Sequence, residues 1–167
     1  MQTAVGPQGS PTGIAAELGK QRPFDVPEQE AYLNLARTTA LLRHALHRLL
    51  KPHGLTETTY NALRILRGHG GEGCRSTTIG DELVVPVPDV TRAVDRLVER
   101  GLATRERDPS DARAVRVRLT NLGRDLLAEL DEPILDLHRE QLGHLSREEL
   151  ETLNTLLVRA REPLVGG

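Results

Sequence analysis

Thr91, Arg92 and Arg96 place a hydroxyl and two guanidiniums within six residues near the middle of the chain. Such donors suit acceptor-rich partners, the edges of bases or the oxygens of phosphates. Arg113 and Arg116 add two further cations some twenty residues on. Periodicity alone favours a plainer account, a solvated helix face with a few charge pairs. Asp89, Asp95 and Glu99 are interspersed among the donors and would repel phosphates. The choice turns on the elements that position these side chains.

Val90, Val94, Leu97 and Val98 recur at i, i+4, i+7 and i+8, which predicts an amphipathic helix with the donors on its outer side. Gly101 stands where the helix needs a residue tolerant of positive φ, and Leu102 can fold back as its apolar contact. Ala103 to Arg107 and Arg113 to Leu119 then flank the turn-prone tip Asp108-Pro109-Ser110-Asp111-Ala112. In the second strand Val115, Val117 and Leu119 alternate with Arg116 and Arg118, the pattern of one buried face. Thr120 caps the next helix. Upstream, Ser76 or Thr77 can cap a short helix through Leu83, and Pro86 and Pro88 punctuate the turn after it. Short helix, turn, helix and hairpin outline a winged helix-turn-helix.

The run Val90-Thr91-Arg92-Ala93-Val94-Asp95-Arg96-Leu97, then Arg100-Gly101-Leu102, Asp108 to Arg113 and Leu119-Thr120, resembles the multiple-antibiotic-resistance regulator (MarR) family of bacterial transcription factors. The resemblance in element order covers residues 28 to 162. It implies that Thr91, Arg92 and Arg96 face the major groove and that Arg113 enters the minor groove with Asp111 holding it. Arg116 joins the same expected DNA surface. Asp95 matches an acidic position of the family and is expected to orient a neighbouring Arg. The family often has a second basic residue before Arg113, where this chain has Ala112. It also commonly has Gly and then Ser or Thr in the turn, where this chain reads Val84-Val85-Pro86-Val87-Pro88. A phosphate contact is then lost, and Val87 could touch a thymine methyl instead.

The chain has 167 residues, enough for one domain with a real core. Aromatics make up 2% and Trp is absent, so Leu, Val and Ala must fill that core, a composition that favours helices. Net charge is −2, but unevenly spread: residues 1–74 carry a surplus of +2, 75–119 of +1, and 120–167 of −5. The acidic excess thus lies away from the expected DNA surface, whose own +1 is small for a nucleic-acid module. No run of about 18 apolar residues suggests a membrane span, and the N-terminus lacks the apolar core of a secretion signal. With a single Cys, Cys74, a cytoplasmic location fits.

Residues 1–27, rich in Pro and Gly, read as a disordered extension, with room for a helical turn at Ile14–Leu18. Tyr32, Leu35, Leu42, Leu46, Leu49 and Leu50 mark a long first helix within 28–52. Thr56 caps a second helix with Tyr60, Leu63 and Leu66 inside, and Gly68 to Gly73 read as a flexible loop. The DNA-binding domain is placed at 55–120 and the C-terminal helices at 121–162. Pro133 predicts a kink or break there, Ser146 to Glu149 a capping box, and Pro163 the end of the last helix. The fold expected is mainly α with a small β-hairpin wing, a winged helix-turn-helix with N- and C-terminal dimerisation helices.

Other chemistries have weaker support. No phosphate-binding glycine loop, nucleophile elbow, HExxH or CxxC is present, so no enzyme and no cofactor is expected. His44 and His47 are three apart on the first helix, but nothing makes them converge with other ligands, so no metal site is assigned. Cys74 beside Arg75 would suit redox sensing only if exposed. The reading is a double-stranded-DNA-binding regulator, a homodimer on a palindromic operator, acting as a repressor relieved by a small molecule. Tyr60, Arg64, His44 and His47 are the candidate lining of the effector site. The alternatives are a winged-helix module for protein assembly without an operator of its own, or a redox- or metal-sensing regulator.

Overall fold

The structure is a computed structural model that describes residues 13–108 and 111–165, with the side chains of 111–114 and of 165 outside the described set. The chain divides into two compact units between Ala45 and Leu46, a division that falls inside the long helix α2. In the first unit, α1 (Gly13–Glu17) buries Ile14 and Ala15 and ends at Gly19, whose φ is +66°. Arg37 Nε lies 3.2 Å from Glu17 Oε2. Residues 13–17 are helical where the extension had room for a turn at Ile14–Leu18, and two apolar side chains there are buried. Residues 1–12 lie outside the described residues. Helix α2 (Pro27–Leu50) opens with Glu28 and Glu30 in its first turn, where they complement the helix dipole.

The second unit is built around α3 (Glu57–Gly68). Thr56 and Thr59 cap it reciprocally: Thr59 N–H donates to Thr56 Oγ1 at 3.2 Å, and Thr56 N–H to Thr59 Oγ1 at 2.9 Å. Tyr60, Ala62, Leu63, Ile65 and Leu66 of α3 are buried in one cluster with Ile79, Val94, Leu97, Leu102, Val117, Leu127, Leu130 and Ile134. Strand β1 (Cys74–Arg75) leads directly into α4 (Ser76–Glu82), and a turn then leads to α5 (Val90–Glu99). Strands β2 (Ala103–Asp108) and β3 (Asp111–Leu119) pair antiparallel from Ala103↔Leu119 outward, with a register irregularity between Arg107 and Asp108. β1 pairs with the other edge of β3, Cys74↔Val117 and Arg75↔Arg116, so the sheet has three strands in the order β1-β3-β2. The third strand escapes a sequence reading because two residues carry no alternation.

Helix α6 (Asn121–Leu142) is capped by Thr120, which accepts from Gly123 N–H at 3.1 Å and donates to Gly101 O at 2.7 Å. One threonine thus ties the start of α6 to the end of α5. Arg67 of α3 makes a bidentate pair with Asp131 of α6, both contacts at 2.8 Å, and these hydrogen bonds hold the Asp131 carboxyl below its usual range. α6 runs through Pro133 without a break. Proline removes one N–H bond, and buried Leu130 and Ile134 on either side keep the helix seated. Ser146 and Glu149 form the expected capping box before α7 (Arg147–Val165). This helix passes through Pro163 instead of stopping before it, because so near the end only one more turn has to follow.

Candidate nucleic-acid interface

Asp89 fixes where α5 begins: its Oδ1 accepts the Arg92 N–H at 3.0 Å. At the other end, Gly101 at φ +68° lets Leu102 N–H reach Leu97 O at 2.9 Å and buries the Leu102 side chain. Between these stops Ala93, Val94 and Leu97 are buried, with Val90 and Val98 partly so. Thr91, Arg92 and Arg96 emerge on the exposed side, as their spacing predicted. The Arg92 side chain is 79% exposed, and its Nε is 3.9 Å from Asp89 Oδ2, a loose pairing. Arg96 borders a cavity of about 160 Å³ with Thr56, Thr59 and Arg100. Arg100, on the same cavity, donates to His53 O at 2.8 Å and Gly54 O at 2.7 Å, which anchors α5 to the turn before α3.

The wing is held to α5 by an arginine that the sequence reading did not single out. Arg105 of β2 donates to the Asp95 carboxylate, so Asp95 does orient an Arg, on the wing and not on its own helix. No periodic pattern links positions 95 and 105. At the outer end of β2 the Asp108 side chain is fully buried, with Arg116 Nε at 3.0 Å and Arg75 Nε at 3.4 Å. The Arg116 contact is a charge pairing without an aligned hydrogen bond. Asp108, expected in the polar tip, is instead the last residue of β2, paired with Asp111 across the turn. The strands extend further than predicted, and Asp108 is the acidic centre between two strands. Arg116, expected on the DNA surface, is engaged there, and its side chain is only 27% exposed. Val115, expected inside with Val117 and Leu119, is 46% exposed, because that part of the hairpin extends past the core. Arg113 and Asp111 belong to β3, but their side chains lie outside the described residues.

In the turn, Val87 is partly buried against the core and also borders an open recess beside α4. Val84, 81% exposed, and Val85 are the outward valines, and Val84 N–H is held by Asn61 Oδ1 at 2.8 Å. Of the four candidate effector residues, Tyr60 is a core residue with the Arg64 guanidinium 6.0 Å from its ring, while His44 and His47 are exposed on α2. Tyr60 and Arg64 come together, the ring buried in the core and the guanidinium exposed beside it.

Among the described residues no group of three or more His, Cys, Asp or Glu could hold a metal ion. Cys74 is buried within β1, at the edge of the sheet, and burial, with Glu82 adding to it, pushes its thiol up to about 11 from 9.0. The condition set for redox sensing, exposure, is not met. At pH 8 iodoacetamide should alkylate the folded chain roughly a hundredfold more slowly than a free cysteine peptide, following the lost thiolate. A rate equal to the peptide's would contradict the buried placement. The sign for stability follows from the same shift. The unfolded thiol ionises near 9.0 and the folded one near 11, so the Cys74 contribution is complete below pH 9 and is lost as pH rises to 11.

Fold and site together define a winged helix-turn-helix whose helix α5 offers its donors outward. Residues 53–114 match the model of the MarR family. The chain is 41% identical to a MarR transcription factor from Planctomyces limnophilus, over 81% of this chain and 98% of that one, with a TM-score of 0.64. It is 25% identical to Sco3205, a MarR family transcriptional regulator from Streptomyces coelicolor solved in complex with DNA, over 86% and 91% of the two chains, with a TM-score of 0.77. Identity is again 25% to Bordetella bronchiseptica BpsR, whose DNA binding is regulated by 6-hydroxynicotinic acid, over 84% and 98%, with a TM-score of 0.73. The chain belongs to the MarR family of DNA-binding transcriptional regulators. Among the described residues no helix is long and apolar enough to cross a membrane.

Proposed function

We propose that the protein is a homodimeric repressor that reads a palindromic operator with α5 and releases it when a small molecule binds. The observation that carries the DNA-reading role is the outward face of α5, where Arg92 and Arg96 are exposed on a helix fixed at both ends and latched to the wing through Asp95 and Arg105. Arg pairs best with guanine in the major groove. Arg113 is assigned to the minor groove beside the wing, with Asp111 steadying it. Arg116 is assigned a positioning role through Asp108.

Dimerisation is supported by α7, which buries none of its residues 147–164 within its own chain. Helix α2 likewise leaves Tyr32, Leu35 and Leu41 exposed. Apolar faces of this length are covered in stable proteins. Release by a small molecule is supported by the likeness to BpsR, and it requires an effector that favours a protomer spacing unsuited to the groove.

The test is binding to the DNA upstream of the protein's own gene, followed by gel shift across a salt titration. The expected result is a specific complex on an inverted repeat with half-sites about 10 bp apart, and an affinity that falls steeply with salt. Equal affinity for that DNA and for scrambled DNA would leave a winged-helix assembly module as the better reading.

A further inference from the structure

The first residue of the recognition segment is acidic, which is unexpected where phosphates crowd the approach. Asp89 is not a buried cap: its side chain is 54% exposed. Oδ1 is occupied by the Arg92 N–H, whereas Oδ2 lies 3.9 Å from Arg92 Nε, beyond hydrogen-bonding distance. Asp89 also borders an open recess of about 410 Å³ between the first turn of α4 and the turn before α5, shared with Thr77, Asp81, Val87 and Thr91. The carboxylate is thus fixed in position by its capping bond, keeps on its second oxygen only the loose 3.9 Å pairing with Arg92 among the described residues, and stands on the open side of the helix start. In helix-turn-helix proteins the first residues of the second helix are those that meet base edges.

We propose that Asp89 is a specificity-determining residue that accepts a hydrogen bond from a cytosine amino group, next to Arg92 donating to guanine. The proposal deepens the DNA-reading role of α5 and rests on it. The chemistry is complementary: in the major groove cytosine presents an N4 amino donor, and guanine presents the N7 and O6 acceptors. Asp89 and Arg92, three residues apart on the first turn, set an acceptor beside donors. A carboxylate that meets no donor in the groove is left desolvated among phosphates, so it penalises sequences that lack one. The same acidic residue that weakens general attraction to DNA thereby sharpens discrimination.

Asn and Ser cap helices about as well as Asp, so Asp89→Asn and Asp89→Ser keep α5 while removing the charge. The experiment measures affinity of wild type and both variants for operators substituted at every base pair of a half-site, and for non-operator DNA. Wild type should prefer C·G at one position per half-site by about fivefold or more. Both variants should lose that preference, bind non-operator DNA more tightly, and keep the preference set by Arg96. A wild type that binds specifically, with variants that retain its preference at every position, overturns the proposal and leaves the role of α5 intact. A wild type without any sequence preference overturns both.

Discussion

A chain ended at Leu145 will sediment as a monomer and bind its operator on the order of a hundredfold or more weaker than the full chain. The lost factor is that of two linked half-site contacts becoming independent ones. The protomer itself should survive, because none of residues 147–164 of α7 is buried and Leu156 among them is 53% exposed. Circular dichroism of the shortened chain should show the winged unit still folded. The acidic surplus of residues 120–167 leaves with α7 only in part, so the change in net charge would, if anything, strengthen DNA binding. A loss of affinity against that trend would be due to the missing partner. A shortened chain that stays dimeric at unchanged affinity would place the interface elsewhere.

Gly73→Ala will destabilise the fold by about 3 kcal/mol or more, lowering the melting temperature by roughly 6–12 °C. Gly73 has φ +64° and ψ −169°, a conformation essentially confined to glycine. A Cβ there would stand 2.1 Å from Val117 O and 2.7 Å from Arg118 Cγ, and the first of these is backbone within the sheet. Thermal unfolding of the variant beside Gly71→Ala is the measurement, since a Cβ at Gly71 meets nothing within 4 Å. Equal melting temperatures would mean that the close approach of residue 73 to β3 is wrong.

Gly73 also shows where a sequence can be read and where it cannot. Within Gly68 to Gly73 the glycines look alike, a flexible stretch, yet one of them is a fixed point against which β1 and β3 close. The difference lies in a contact with Val117, over forty residues away, which no local pattern encodes. Helix α5 was legible because its signals are local: the Val and Leu spacing and the Gly101 stop both act within a few residues. The exposure of Thr91, Arg92 and Arg96 followed from that same periodicity. Arg116 and Asp108 were misplaced because pairing within the wing decides whether a charged residue turns outward or inward. There Arg75, from a two-residue strand invisible in the sequence, helps to bury the carboxylate. Pro133 and Pro163 were read as breaks by a rule of local geometry, and the packed neighbours of one and the terminal position of the other override it. Tyr60, read as an inside residue of its helix from the local spacing, does fill the core of a chain with few aromatics.

The most direct measurement is the affinity of wild type, Arg92→Ala and Arg96→Ala for a panel of operators carrying every single base-pair substitution, at several salt concentrations. Both side chains are exposed, so neither variant should unfold. If α5 reads bases, each alanine should cost about 1–3 kcal/mol on the intact operator and erase the preference at one position in each half-site. Variants that weaken every operator equally, with only a flatter salt slope, would show phosphate contacts alone and contradict sequence reading by this face of α5.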